Sequence, residues 1–213
     1  MKFALFSAAV GFLAGLAGGG RLSALGRSGL AHGSIGVLGL VTMTLAVRAP
    51  VPNPLIWLIG AYGVMLIFVV FNARRFVGMW LIGVGLTLNA TVLIVNDGTP
   101  YRLLALVDAG VIDAEAAVTT NIGAASFGMS SFDTALSHVE HPGDRLVVLG
   151  DVIPVRPLRE TLSVGDILLA FGLGGVIHTA MTRTTQRGGA QSRRAKHRAP
   201  RSSNHRVRRE LRT

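Results

Sequence analysis

The fold of this chain is constrained most by its apolar runs. There are four long runs and, after an acidic segment, a fifth. A helix needs about 20 mostly apolar residues to cross a hydrocarbon core about 30 Å thick, because it rises about 1.5 Å per residue. The runs cover residues 3–19, 30–47, 54–72, 76–96 and 164–182. We therefore predict an all-α membrane protein with about five transmembrane helices.

The composition agrees with this fold class. Half of the residues are hydrophobic and only 15% are charged, whereas a soluble domain carries about 25% charged residues. The runs are continuous, unlike the alternating segments of about ten residues that build membrane β-barrels. Cysteine is absent. This excludes disulfides, thiolate nucleophiles and cysteine-based metal centres, and no motif predicts a cofactor or a metal.

The distribution of positive charge predicts the orientation, because short cytoplasmic loops retain Lys and Arg. Arg21 and Arg27 follow the first run, Arg74 and Arg75 follow the third, and the basic tail follows the fifth. We call residues 97–163 the connector; this segment holds nine acids against four arginines. The pattern predicts a multi-pass protein of the cytoplasmic membrane with its N-terminus outside and its C-terminus in the cytoplasm.

The first run also has the outline of a cleaved signal peptide, since Met1 and Lys2 precede an apolar stretch. Cleavage would start the mature chain outside, and four remaining spans would then place the basic tail outside as well. That contradicts the charge bias, so we favour an uncleaved first helix.

The connector is too long for a loop without structure of its own, which predicts short helices on the outer side of the membrane. Thr99 and Pro100 suit the start of a helix ending near Gly110. A second helix is predicted over residues 113–125 and a third over residues 131–139.

Small and amide residues predict where the helices pack. Gly11, Gly15 and Gly19 repeat at four-residue spacing, which lets another helix approach closely. Gly85 and Asn89 share a stripe of the fourth run. An amide near mid-membrane needs a partner, so Asn89 either bonds to a neighbouring helix or contacts a substrate or ion. We favour the first interpretation.

Some connector and helix-end residues are candidates for acid/base or metal chemistry. Ser163 and Asp166 have the spacing of a capping box, which explains this carboxylate without any catalytic role. The chemical alternative is a cluster of acids and histidines that comprises Asp151, Asp166, Glu140, His138 and His141. His138 and His141 lack the HExxH spacing of a helical zinc site, so we do not predict a metal.

Residues 183–213 form the basic tail, with eleven Lys or Arg residues against one acid, and their composition predicts disorder. A basic cluster next to a span attracts anionic lipid headgroups, here through Arg193, Arg194, Lys196 and Arg198. An acidic protein partner is a second interpretation. Nucleic acid is disfavoured because no aromatic residue interleaves with the charges.

An ordered series of short motifs resembles a known family. It comprises Gly19-Gly-Arg-Leu-Ser23, Asn72-Ala-Arg-Arg75, the run Trp80 to Asn89, Asn96-Asp-Gly98, Leu149-Gly-Asp-Val-Ile-Pro154 and Ser163-Val-Gly-Asp-Ile-Leu-Leu169. Over about residues 1–182 the chain resembles domain-of-unknown-function family 5317, small bacterial integral membrane proteins. The chain departs from the family's usual Asn-Gly-Gly-Met-Pro-Val at Asp97-Gly-Thr-Pro100-Tyr. The resemblance implies no activity.

Taken together, these features predict a non-enzymatic structural or regulatory membrane component without a cofactor. Its partners are the lipid bilayer and a membrane protein or a second copy. The alternative is a small enzyme or carrier that acts on an amphiphilic substrate at the outer leaflet, with Asp151, Asp166, His138 or His141 as acid/base residues.

Overall fold

The computed structural model describes residues 2–27, 29–113, 136–140 and 142–198, and the fold within them is mostly helical. The five apolar runs form α1 (Lys2–Ala17), α2 (Gly33–Arg48), α3 (Pro54–Ala73), α4 (Gly78–Val95) and the first part of α6 (Val164–Arg198). A 3-10 helix, Leu22–Arg27, follows α1.

Three of these helices are long and apolar enough to cross a membrane: α3, α4 and the Val164–Thr182 part of α6. The apolar helices α1 and α2 are shorter, at 16 residues each. Their length of about 24 Å falls below the hydrocarbon thickness of about 30 Å. The chain is therefore compatible with a membrane protein, and three candidate spans are established where five were predicted.

The contacts of α6 give the relative directions of the helices. Ser7 Oγ donates to Ala170 O at 2.5 Å, and Gly15 lies against Met181, so α1 and α6 run in the same direction. Gly85 lies against Gly165 while Gly78 lies against Gly172, so α4 runs the opposite way.

Contacts between the remaining helices complete the bundle. Gly39 packs on Met65 and Gly36 on Phe68, so α2 and α3 are antiparallel. The short loop between α3 and α4 makes these two antiparallel as well. We call α1 to α4 and residues 164–182 the helix bundle. Its larger core cluster holds Val69, Phe76, Met79, Leu86, Val176 and Ala180.

The connector is not purely helical, which corrects the prediction. It contains β1 (Thr99–Tyr101), α5 (Leu103–Asp108), β2 (Ser137–Val139), a 3-10 turn at Val147–Leu149, β3 (Ile153–Val155), a 3-10 turn at Arg156–Leu158 and β4 (Glu160–Leu162). β1 pairs with β2 in parallel, and β3 pairs with β4 antiparallel.

Long-range pairing explains why the predicted connector helices differ. Thr99 was predicted to cap a helix, but its N–H donates to Leu136 O at 2.8 Å, and the helix starts only at Leu103. The third connector helix was predicted over residues 131–139, but its last three residues form strand β2 instead. The predicted second helix lies, apart from Asp113, outside the described residues.

The predicted disorder of the basic tail is wrong for its first part. α6 continues without a break from the apolar segment to Arg198. Arg, Gln, Ala and Lys have good helix propensity, so a helix already nucleated in the bundle propagates into them at little cost. Residues 199–213 lie outside the described part of the chain.

Candidate functional site

The start of α6 carries a reciprocal capping arrangement. The backbone N–H of Asp166 donates to Ser163 Oγ at 2.9 Å, and the N–H of Ser163 donates to Asp166 Oδ2 at 3.1 Å. Two otherwise unpaired amides of the first helical turn are satisfied in this way. The arrangement holds the Asp166 carboxylate at the positive end of the helix dipole.

Asn89 of α4 joins this arrangement from the neighbouring helix. Its Nδ2 donates to Asp166 Oδ1 at 2.9 Å, and its Oδ1 accepts from Ser163 Oγ at 3.1 Å. The Tyr62 side chain of α3 hydrogen-bonds with Asn89 as well. A Cβ on Gly165 would collide with Asn89 Oδ1, so only glycine permits this approach of the two helices.

These side chains border a cavity of about 180 Å³ between the helix bundle and the connector, which we call the boundary cavity. Tyr62, Asn89, Ser163, Asp166, Thr99, Ser137 and Asp151 form its polar wall, and Val47, Leu58, Val92, Leu136 and Leu149 form its apolar wall. Its lining therefore combines a polar wall with an apolar one.

Asp151 reaches the boundary cavity from the connector. Its N–H donates to Pro100 O at 3.1 Å and its carbonyl accepts from Arg102 N at 3.3 Å, which fixes its backbone beside β1. Asp151 and Asp166 are the two carboxylates that line the cavity, and no Lys, Arg or His belongs to the described lining. The cavity thus has a negative wall.

The predicted acid and histidine cluster is only partly brought together. His138 Nε2 lies 3.1 Å from Asp144 Oδ1, and Glu140 pairs with Arg102 Nε at 3.2 Å, so both residues have partners outside the boundary cavity. His141 lies outside the described residues. Within the described ranges, no group of three His, Asp or Glu residues is placed to hold a metal.

A second contact attaches the connector to α1. The N–H groups of Lys2 and Phe3 donate to the two carboxylate oxygens of Glu160 at 2.8 and 3.0 Å, and Lys2 Nζ donates to Leu158 O at 2.8 Å. Burial raises the pKa of Glu160, but hydrogen bonds at the start of α1 outweigh it. The pKa of this carboxyl therefore lies below its ordinary value.

A third contact attaches the connector to the end of α4. Asn96 Nδ2 donates to Arg145 O at 2.9 Å, and Arg145 N donates to Asn96 Oδ1 at 2.8 Å. The side-chain amide thus pairs with the connector backbone through both of its polar atoms. The connector is held at the ends of α1, α4 and α6.

The glycines predicted to pack helices differ in their surroundings. Gly11 lies against Gly174, and a Cβ on Gly15 would come within 2.7 Å of Met181 Sδ. Gly19, predicted on the same face, lies beyond the end of α1 with φ +77 and open space around it. Gly20 contacts Met181 instead, because the chain turns after Ala17.

The opposite end of the bundle depends on Asn72, a residue that the sequence did not single out as a contact. It is fully buried, its Nδ2 donates to Ala31 O at 3.0 Å, and Ala31 N donates to its Oδ1 at 2.7 Å. Arg75 Nη1 donates to Gly29 O at 2.5 Å in the same loop. An amide inside an apolar run was the available signal for Asn72, as it was for Asn89.

Tyr62 of the boundary cavity was also missed, although a tyrosine within a span needs a polar partner.

A protein-family model described as a family of unknown function, DUF5317, matches residues 34–178. The match includes all of α2 except its first residue, α3, α4, the connector and most of the apolar part of α6. No curated protein and no solved structure matches the chain.

Proposed function

The chain belongs to DUF5317, a family of unknown function. From that premise we propose that it is a non-enzymatic component of the cytoplasmic membrane with a structural or regulatory role. The three attachments of the connector carry this proposal: Glu160 to α1, Asn96 to Arg145, and Asn89 to Ser163 and Asp166. A module attached at three helix ends keeps a constant surface toward other proteins, as a structural component requires.

The proposed topology has five spans. It is supported by the helix directions, since α1, α3 and α6 run one way while α2 and α4 run the other, as successive crossings require. The shorter helices α1 and α2 also expose apolar side chains suited to lipid. These are Leu5, Phe6, Val10, Leu13 and Leu16 in α1, and Val37, Leu38, Leu40, Val41 and Leu45 in α2. Local bilayer thinning accommodates short spans at modest cost.

The proposed orientation places the connector outside and the basic tail in the cytoplasm. The connector lies at the bundle end that holds Lys2, Asn96 and Ser163, and it contributes nine acids. Arg21, Arg74 and Arg75 belong to the loops at the opposite end. This separation of charge supports a cytoplasmic location for the basic end.

The proposed partners are anionic lipid headgroups and another membrane protein or a second copy of the chain. α6 extends beyond its apolar part into the basic tail, where Arg193, Arg194, Lys196 and Arg198 lie. A basic helix that leaves the membrane attracts the anionic leaflet by about 1 kcal/mol per charge near the surface.

An in-cell cross-linking experiment tests the structural role. Glu160→Gln weakens the attachment of the connector to α1, so we expect less cross-linked partner or homo-oligomer to be recovered with the purified protein. Asp151→Asn changes a residue of the boundary cavity and should leave recovery unchanged. Equal recovery with both variants, or loss with Asp151→Asn alone, would contradict the proposal.

The boundary cavity favours a second candidate function, an enzyme or carrier for a small amphiphilic substrate at the outer leaflet. Its negative wall holds Asp151 and Asp166, and its apolar wall comes from both the bundle and the connector. In this candidate the two carboxylates would exchange protons with, or bind, the polar part of the substrate.

Mass spectrometry of the purified protein separates the two candidates. A substrate of the boundary cavity should appear as a co-purified small amphiphile that Asp151→Asn loses. The matched variant Glu140→Gln removes an exposed carboxylate that pairs with Arg102, so it should retain the species. A preparation without any such species would exclude a tightly bound substrate.

A further inference from the structure

The loop before the Val147–Leu149 turn exposes apolar side chains in an unusual backbone conformation. Leu146 has φ +56 and is 47% exposed, and Val148 is 69% exposed. Leucine rarely adopts the left-handed region, because its Cβ crowds the backbone. The conformation therefore needs support from neighbouring contacts.

Asn96 supplies that support. This residue follows the last residue of α4, and its two hydrogen bonds hold the backbone of Arg145, directly before Leu146. The Val147–Leu149 turn also contacts both α4 and α6. The loop is thus attached to the end of the helix bundle at the level of Asn96.

The level of Asn96 corresponds to the membrane boundary. α4 is long and apolar enough to cross the membrane, and its last turn exposes Ile94 and Val95, at 52% and 44%. Asn96 is the first polar residue beyond them, so it marks the level at which the chain leaves the hydrocarbon. Leu146 and Val148 add exposed apolar side chains next to this level, since Arg145 is bonded to Asn96.

We propose that Leu146 and Val148 insert into the outer boundary of the bilayer that surrounds α4, and that the connector is anchored on lipid through this turn. The occupant of this surface is the glycerol and upper acyl-chain region of the bilayer. Arg145 is exposed beside Leu146, where a long basic side chain can reach lipid phosphates while its stem lies along apolar groups. The inference goes beyond the proposed function, which assigns lipid contact to the basic tail at the other end of the bundle, and its placement at the outer boundary rests on the proposed orientation.

The absence of cysteine allows a direct test. Leu146→Cys and Val148→Cys would each be labelled with a small fluorophore in the full-length protein. The proteins would be reconstituted in vesicles of phosphatidylethanolamine and phosphatidylglycerol. Gly143→Cys is the matched control, because Gly143 is exposed in the same loop and a side chain there meets open space.

The labels at positions 146 and 148 should be quenched by lipids that carry a spin label near the headgroup. They should be several-fold less sensitive to aqueous iodide than the label at position 143. Iodide sensitivity equal to that at position 143 would overturn the proposal. Protection of the labels from both quenchers, together with disulfide-linked dimers formed by unlabelled Val148→Cys protein, would also overturn it and assign the surface to a second copy.

Discussion

Asn72 and Glu160 tie together segments that are far apart in the chain. Asn72 pairs with both the N–H and the C=O of Ala31, and Glu160 accepts from the first amides of α1. Each side chain hydrogen-bonds to backbone groups and so takes the place of a backbone partner. The two residues act at opposite ends of the bundle, so their substitutions should be independent.

Asn72→Leu should destabilise the protein by about 2 kcal/mol, because it leaves the N–H and C=O of Ala31 without their amide partner. The measurement is thermal or denaturant unfolding in detergent. Val70→Leu is the matched control, since Val70 lies in the same helix and is 72% exposed. A loss of stability no larger than that of Val70→Leu would show that water or lipid replaces the Asn72 amide as the partner of Ala31.

Glu160→Gln should destabilise the protein at neutral pH by about 1 kcal/mol, a value reduced because the carboxylate is half-exposed. The folded-state pKa is lowered, so the stabilisation is complete above the ordinary value of 4.5 and is lost as pH falls through the lower folded pKa. Unfolding measured at pH 7 and below pH 4 should therefore show a shrinking difference between variant and wild type.

Glu140→Gln provides the comparison for this pH dependence. Glu140 forms an exposed ion pair with Arg102, and such pairs contribute about 0–1 kcal/mol. Its effect at pH 7 should be smaller than that of Glu160→Gln. The interpretation of Glu160 fails if both variants lose the same stability at every pH.

At the scale of elements, glycines determine how closely α6 approaches its neighbours. Gly11 and Gly174 bring α1 against α6, while Gly85 and Gly165 bring α4 against the start of α6. Close backbone approach gives dispersion contacts where lipid supplies no hydrophobic driving force. It also brings Asn89 within reach of Asp166.

Gly85→Ala should destabilise the bundle by about 1–3 kcal/mol, because its Cβ would come within 2.6 Å of Gly165 O and 2.9 Å of Leu169 Cγ. Gly60→Ala in α3 is the control, since a Cβ there meets nothing within 4 Å. It should leave stability unchanged or raise it by up to about 1 kcal/mol. Unfolding in detergent measures the stability of both variants. Equal changes in the free energy of unfolding would mean that α4 and α6 move apart without loss of stability.

At the scale of the whole molecule, polarity is divided between the two ends of the bundle. The end that carries the connector holds the boundary cavity and the acidic residues. The other end holds the Asn72 contacts and the arginines of two short loops. This division is the basis of the proposed orientation.

The orientation predicts opposite labelling of two single-cysteine variants by a membrane-impermeant maleimide. Gly143→Cys in the connector should react in intact cells, and Ser23→Cys in the loop after α1 should react only after permeabilisation. Both residues are exposed. The reverse pattern would place the boundary cavity in the cytoplasm and exclude an outer-leaflet substrate.

The residue sequence by itself determined the five apolar helices, to within three residues at each end apart from the continuation of α6, because length and apolar composition depend on local properties alone. It also determined the Ser163 and Asp166 capping pair, whose residues are three apart. Only the tertiary structure decided the strand pairing of Thr99 and the meeting of Asp151 with Asp166 at one cavity. These depend on contacts across tens of residues, which local propensity does not encode. The helical start of the basic tail was likewise decided by the helix that precedes it, because propagation from a formed helix needs no new nucleus.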